Sequence, residues 1–251
     1  MASSGLPMPN QSEQLSPGTA LITGADRGLG FGLTQELLNR GWTVIAGRNL
    51  DWHELKELAP KFPQTLHILD LDVTSQESAD AAAQAATSLI SHLDILICNA
   101  GINRSAHINS IREDQNYQDM LDELNINAIG CLRVVKAFLP LMDQGNHKRL
   151  CFVSSEAGSV AASKRTGWFG YCMSKAGLNI AVKNLSNDLT PQGYEFRLYH
   201  PGWMRTYMRG TKNMAAELEP EEAANFALKH FLSADHIPLV LRDFAGKDYP
   251  W

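Results

Sequence analysis

From Thr19 onward the sequence predicts a doubly wound α/β domain, and three observations carry that prediction. Short apolar runs alternate with longer segments of helical character, the pattern of successive βαβ units building a parallel sheet. A glycine-rich string stands where the first run hands over to the first helical segment. No internal repeat, low-complexity tract or linker interrupts the alternation, so the 251 residues divide into a flexible leader, residues 1–18, and one domain, residues 19–251.

Taken in order, TALITG at 19–24 is the first strand and FGLTQELLNRG at 31–41 the first helix, with Gly41 as its stop. WTVIAG at 42–47 is the second strand, residues 52–62 a helix, and the apolar run closing at Asp72 the third strand. The alanine-rich stretch from Ser75 to Ile90 is a helix capped by Ser75, and LDILIC at 93–98 is the fourth strand. A polar stretch, residues 102–117, precedes a long helix from Met120 to Met142. RLCFVSS at 149–155 is the fifth strand, Gly170 to Leu189 a second long helix, and EFRLYHPG at 195–202 the sixth strand. A helix from Pro220 to Ser233 and a strand from Pro238 to Asp243 complete a seven-stranded parallel sheet with helices on both faces.

Composition narrows the function. A net charge of -5 without any basic stretch argues against a nucleic-acid partner, which would need lysines and arginines along a phosphate backbone. Cys98, Cys131, Cys151 and Cys172 stand far apart without histidines at ligand spacing, so no metal is expected and reduced thiols in the cytoplasm fit best. No run has the length of a membrane span, and the polar leader lacks the charged start and apolar core of a signal peptide.

The glycine-rich string is Thr23-Gly24-Ala25-Asp26-Arg27-Gly28-Leu29-Gly30, in the strand-to-helix setting that gives such strings meaning. Glycines let the backbone approach a pyrophosphate, and the helix start offers free N–H groups and a positive dipole end. Where a NAD enzyme places a carboxylate after the second strand, this chain has Ala46-Gly47-Arg48-Asn49. A guanidinium matches a 2′-phosphate in charge and geometry, so Arg48, with Arg27 as a second clamp, favours NADP(H) over NAD(H).

Further along stand Asp72-Val73 after the third strand, Cys98-Asn99-Ala100-Gly101 after the fourth, Asn127 in the first long helix and Ser154-Ser155 after the fifth strand. Tyr171 and Lys175 share a helix face one turn apart, and Pro201-Gly202-Trp203-Met204-Arg205-Thr206 follows the sixth strand. The spacing and order of these segments resemble the short-chain dehydrogenase/reductase family, and the ending Asp243 to Trp251 resembles a carbonyl-reductase-like subgroup that includes sniffer and C-factor proteins.

The resemblance implies a Rossmann-type NADP(H)-dependent oxidoreductase acting on a small carbonyl compound or alcohol. By resemblance, Tyr171 is the acid/base, Lys175 lowers its pKa and binds the nicotinamide ribose, and Ser155, with Ser154 as the alternative, polarises the substrate oxygen. Asn127 holds a proton-relay water, Asp72 and Val73 meet the adenine, and Asn99, Ala100 and Gly101 border the cofactor. Pro201, Gly202, Met204 and Thr206 then face the carboxamide. Cys98 stands where the family has asparagine, which puts part of the sheet's polar bracing in question. Sixteen positions separate Ser155 from Tyr171, so an enlarged loop is expected between them. The loop Ser159–Gly170 and the segments Asn103–Asn116 and Tyr207–Glu219 should set specificity, with aromatic residues such as Trp168 and Trp203 favouring an apolar pocket. The resemblance also implies a homodimer or homotetramer through the helices Leu121–Met142 and Gly170–Leu189. Two other functions fit the sequence less well. A catalytically silent NADP(H)-binding redox sensor need not keep a proton-transfer set, and an epimerase or dehydratase would need a sugar-nucleotide site that nothing in the chain suggests.

Overall fold

A computed structural model describes residues 13–208 and 212–251. Its strands are β1 Thr19–Thr23, β2 Thr43–Arg48, β3 Leu66–Asp70, β4 Ile95–Cys98, β5 Arg149–Val153, β6 Glu195–His200, β7 Leu241–Asp243 and β8 Asp248–Tyr249. They form one sheet in the order β3-β2-β1-β4-β5-β6-β7-β8. Every pairing is parallel except that of β8 with β7. The expected seven parallel strands thus gain an antiparallel eighth. It forms because a turn closed by the Asp243 N–H on the Lys247 carbonyl folds the chain back, and Arg242 then pairs with Asp248 at 2.6 Å. Two residues are too few to show alternation in a sequence.

The helices are α1 Gly28–Asn39, α2 His53–Leu58, α3 Gln76–Ala86, α4 Tyr117–Leu124, α5 Gly130–Met142, α6 Phe169–Leu189 and α7 Pro220–Phe231. Strand periodicity sends Ala20 and Ile22 of β1 to one face and Leu21 to the other, and each face has its own apolar core. On the first, Leu33 and Leu37 of α1 and Ala224 and Phe231 of α7 pack against the sheet with Trp42. On the second lie Val134 and Phe138 of α5, Leu178 and Val182 of α6, and Ala79 and Ala83 of α3. The expected long helix is α4 and α5 joined by a wide π-type turn at Asn125–Ile129. This continuous stretch, Tyr117–Met142, has the length and hydropathy of a membrane span; Val134, Val135 and Phe138 on one side of it pack in the second core, while Leu121 and Ile129 are exposed.

Within the leader, residues 1–12 lie outside the described residues. The rest lies against the domain: the Leu15 N–H donates to the Leu232 carbonyl at 2.8 Å, and the Ala234 N–H to the Glu13 carbonyl at 2.8 Å. Strand order reverses between β1 and β4, whose following segments diverge and open a crevice at the carboxyl ends of the strands.

Candidate active site

That crevice is a cleft of about 640 Å³, and every site residue expected from the sequence lines it except Gly30, Arg48 and Asn127. Its nucleotide half is built by the turn between β1 and α1. Gly24 and Gly28 take φ of +62° and +57°, the left-handed region that costs a side-chain-bearing residue. A Cβ on Gly30 would stand 2.1 Å from the Gly24 carbonyl oxygen, so Gly30 shapes the turn from behind. No side chain caps the start of α1, leaving its first N–H groups for an anion. This tight glycine turn over an uncapped helix is the feature that fits a dinucleotide pyrophosphate.

Asn99 secures the turn. Its Nδ2 donates to the carbonyls of Thr23 and Gly24 at 3.0 and 3.2 Å, and the Asn99 and Ala100 N–H groups donate to Thr23 Oγ1 at 3.0 Å. Cys98, meanwhile, is buried in the apolar core. With cysteine at position 98, the bracing is carried by the Asn99 side chain together with Thr23 Oγ1. Asp72 closes a turn instead of capping a helix: its Oδ1 accepts from the Thr74 N–H at 2.8 Å and Thr74 Oγ1 at 2.7 Å, while Ser75 caps α3.

The two arginines differ. Arg48 Nε donates to Asp70 at 2.8 Å and its NH1 to Asp51 at 3.0 Å, which draws the guanidinium away from the cleft wall. Arg27 lines the cleft and stacks its guanidinium 4.9 Å from the centre of the Trp52 ring, which in turn lies 5.4 Å from Tyr207. Asp26 is buried beside them, and burial raises its pKa against the hydrogen bonds of its own N–H and that of Asn49.

In the chemical half, α6 puts Tyr171 and Lys175 one turn apart and buries both. Ser155 lies close enough to the Tyr171 phenol to favour its ionisation, whereas Ser154 turns away to donate to Asn179 Oδ1 at 2.6 Å. Lys175 Nζ donates to the Val153 carbonyl at 2.9 Å and lies 5.8 Å from the centre of the Tyr171 ring. Burial pushes the Lys175 ammonium down to about 8 and the Tyr171 phenol up to about 12. The expected depression of the tyrosine does not arise in this arrangement. The dry site opposes the phenolate, Glu156 and Glu123 add like charge, and the ammonium is spent on a carbonyl.

Asn127 sits in the wide turn, fully buried, with its Oδ1 accepting from the Ile102 N–H at 2.8 Å. Its Nδ2 donates to the Ile102 carbonyl and Ser174 Oγ, both at 2.9 Å. Its amide therefore braces the loop after β4 from outside the cleft.

Sequence reasoning missed several residues that the fold brings to the centre. Glu156 accepts from Ser155 Oγ at 2.8 Å and from Arg165. Burial opposes its ionisation, but these two donors outweigh burial and hold its carboxyl below the usual range. Arg165 also stacks 4.8 Å from the centre of the Trp168 ring, and Trp168, at the left-handed φ of +60° that a bulky residue rarely takes, packs edge-to-face on Tyr171 with ring centres 6.4 Å apart. The enlarged loop thus returns upon both Ser155 and Tyr171. His200 lines the same wall, its pKa lowered by burial, and its Nδ1 is buried without a hydrogen-bond partner among the described residues. Glu156 follows Ser155 directly and was legible as a carboxylate beside the motif, but its partner Arg165 is loop-borne and carries no signal of its own. Of the specificity segments, Asn103, Arg165, Trp168, Tyr207, Met208 and Asn213 line the cleft, with Trp203 of the preceding turn beside them, and residues 209–211 lie outside the described residues.

Known proteins share this architecture. A carbonyl reductase from chicken fatty liver with NADPH bound superposes with a TM-score of 0.82 at 29% identity, over 99% of this chain and 100% of that one. The carbonyl reductase Sniffer of D. melanogaster gives 0.80 at 26% identity, over 94% and 100%. An uncharacterized oxidoreductase of Schizosaccharomyces pombe is 35% identical over 218 residues, 85% of this chain and 84% of that protein. The short chain dehydrogenase family model matches residues 18–217, and with this match the chain belongs to the short-chain dehydrogenase/reductase family of oxidoreductases.

Proposed function

We propose that this protein is an NADP(H)-dependent reductase of ketones, aldehydes or quinones, working also in reverse on the corresponding alcohols. The observation that carries the reading is Ser155 beside Tyr171, with Lys175 one turn away, on the wall of a cleft whose other half is a glycine turn fit for a pyrophosphate. Two of the structural neighbours named above are carbonyl reductases, one of them with NADPH bound, which supports the same substrate and cofactor class.

The glycine turn, the start of α1, Asp72, Val73, Asn99 to Gly101 and the Pro201–Thr206 segment would hold the dinucleotide, with Arg27 toward a 2′-phosphate and Arg48 behind it. When bound there, NADPH supplies the hydride. Every other step belongs to the chain. A phenol pushed up to about 12 stays protonated at neutral pH, so Tyr171 is loaded as an acid and gives its proton to the substrate oxygen as charge develops on it. Ser155 holds that oxygen beside the phenol. Lys175, charged below about pH 8, supplies the positive field that steadies the phenolate left behind. Asn127 fixes the loop after β4 through its amide, beside the proton-relay water that the resemblance assigns to it. Exposed Leu121, Ile129, Met173 and Ile180 on the long helices support assembly into a homo-oligomer through that face.

The deciding experiment follows NADPH absorbance across a panel of aldehydes, ketones, quinones and secondary alcohols, with the wild type and Tyr171→Phe. Turnover in the wild type, lowered ~10²–10⁴-fold in the variant with NADPH binding intact, is the expected result. A variant that keeps its activity would remove Tyr171 as the acid. Silence of the wild type across the panel with both NADPH and NADH would establish the redox-sensor alternative instead.

A further inference from the structure

The loop after β4 carries a side-chain oxygen, Asn103 Oδ1, that nothing among the described residues answers. Asn103 is only 5% exposed, and its Oδ1 is buried without a hydrogen-bond partner among the described residues. Buried amides are ordinarily paired, so an orphan beside a cleft calls for a ligand.

The loop has little freedom to turn this amide elsewhere. On one side of Asn103, Asn127 grips both the N–H and the carbonyl of Ile102. On the other, the N–H groups of Arg104 and Ser105 donate to Glu123 at 2.6 and 2.9 Å, and Ser105 Oγ donates to the same carboxylate. Asn127 and Glu123 are themselves fully buried. Two interior side chains therefore clamp the backbone around a residue whose own amide they leave unpaired, which is how a preorganised binding group is built. Asn103 also stands at a junction. It lines the catalytic cleft and, with Ile102 and Met208, a second cavity of about 530 Å³ whose remaining wall includes Arg104, His107 and Asp119.

We infer that Asn103 is a specificity-determining residue, accepting a hydrogen bond from a hydroxyl or amide N–H on a substrate arm that leaves the reacting carbonyl and enters this side cavity. The inference rests on the carbonyl-reductase reading and narrows its substrate class to carbonyl compounds with a donor-bearing arm. Asn103 Oδ1 is already buried and unpaired in the free protein, so a substrate that brings the donor gains a bond that one lacking it cannot make, and that gain corresponds to a preference of about 10- to 100-fold.

The test uses acetophenone and its 3- and 4-hydroxymethyl derivatives. It reads kcat/KM with NADPH and, separately, Kd by fluorescence titration of the NADP-loaded protein. Wild type should favour the better hydroxymethyl isomer about 10- to 100-fold in both measurements. Asn103→Leu, close in volume, should bring the ratio to within about threefold without lowering Tm, since it replaces an unpaired amide by an apolar group. A purely structural role predicts the opposite, a lower Tm with the ratio unchanged. The inference is overturned if the wild-type ratio is near one, or if the preference survives in Asn103→Leu; should that variant not fold, survival in Asn103→Ala counts the same way. Loss of the preference in Kd by the variant, with no reduction of any ketone by either protein, would sustain the inference and sink the reductase reading. Equal reduction and equal binding of all three ketones would do the reverse.

Discussion

Lys175→Met should make the protein more stable and less active at once, and the balance can be worked from the site. Burial lowers the Lys175 pKa from its ordinary 10.5 to about 8, so keeping the ammonium charged inside the fold at pH 7 costs about 3 kcal/mol at 1.4 kcal/mol per tenfold. Methionine removes that cost but forfeits the 2.9 Å bond to the Val153 carbonyl, worth about 1 kcal/mol. The net gain is about 2 kcal/mol, or roughly 4–8 °C in Tm for a chain of this size.

The sign with pH follows from linkage. The folded-state pKa is depressed, so between about 8 and 10.5 the unfolded chain binds more protons than the folded one, and wild-type stability rises with pH through that window. The advantage of methionine therefore shrinks to about zero near pH 9.5. Urea unfolding of both proteins at pH 7 and pH 9.5, with turnover followed in parallel, measures every part of this. Wild-type reduction should weaken above about pH 8 as the ammonium is lost, and the variant should be ~10²–10⁴-fold slower without that limb. A variant less stable than wild type at pH 7, or a gap that ignores pH, would refute the claim that desolvation dominates at Lys175.

Arg27→Leu should weaken NADPH binding about 10- to 100-fold, the worth of a charge-assisted hydrogen bond, and leave NADH within about twofold. Arg48→Leu should cost less, because Asp70 and Asp51 already divide its guanidinium; calorimetric titration decides, and the reverse order would return the phosphate clamp to Arg48. Gly30→Ala drives a Cβ to 2.1 Å from the Gly24 carbonyl oxygen, so the turn must shift, at about 1–3 kcal/mol. Lower Tm and lost NADPH binding are expected, and normal values of both would show that the turn tolerates a side chain there.

The expected strands and helices stand close to their places because each is announced by residues adjacent in the chain: alternation in β1, the Ser75 cap of α3, the glycine string before α1. Only the two-residue β8 escaped, since its pairing comes from the Asp243–Lys247 turn and from Arg242, not from any periodicity of its own. The glycine turn and the Tyr171-Lys175 pair were equally legible, being local features whose geometry a strand-to-helix turn or one helical turn dictates.

What the sequence by itself determined, then, is the family, the sheet and which short segments meet at its carboxyl edge. The tertiary structure alone decided between neighbours with the same chemistry. Ser155 stands beside the tyrosine while Ser154 is held by Asn179, and Arg27 lines the cleft while two aspartates share Arg48. It also decided that burial raises the Tyr171 phenol further, and that Asn103 Oδ1 is buried unpaired, among the described residues, at the edge of a second cavity. These outcomes depend on which groups from distant segments compete for one partner and on how much water the packed site excludes, and neither quantity is carried by any stretch of chain until it folds.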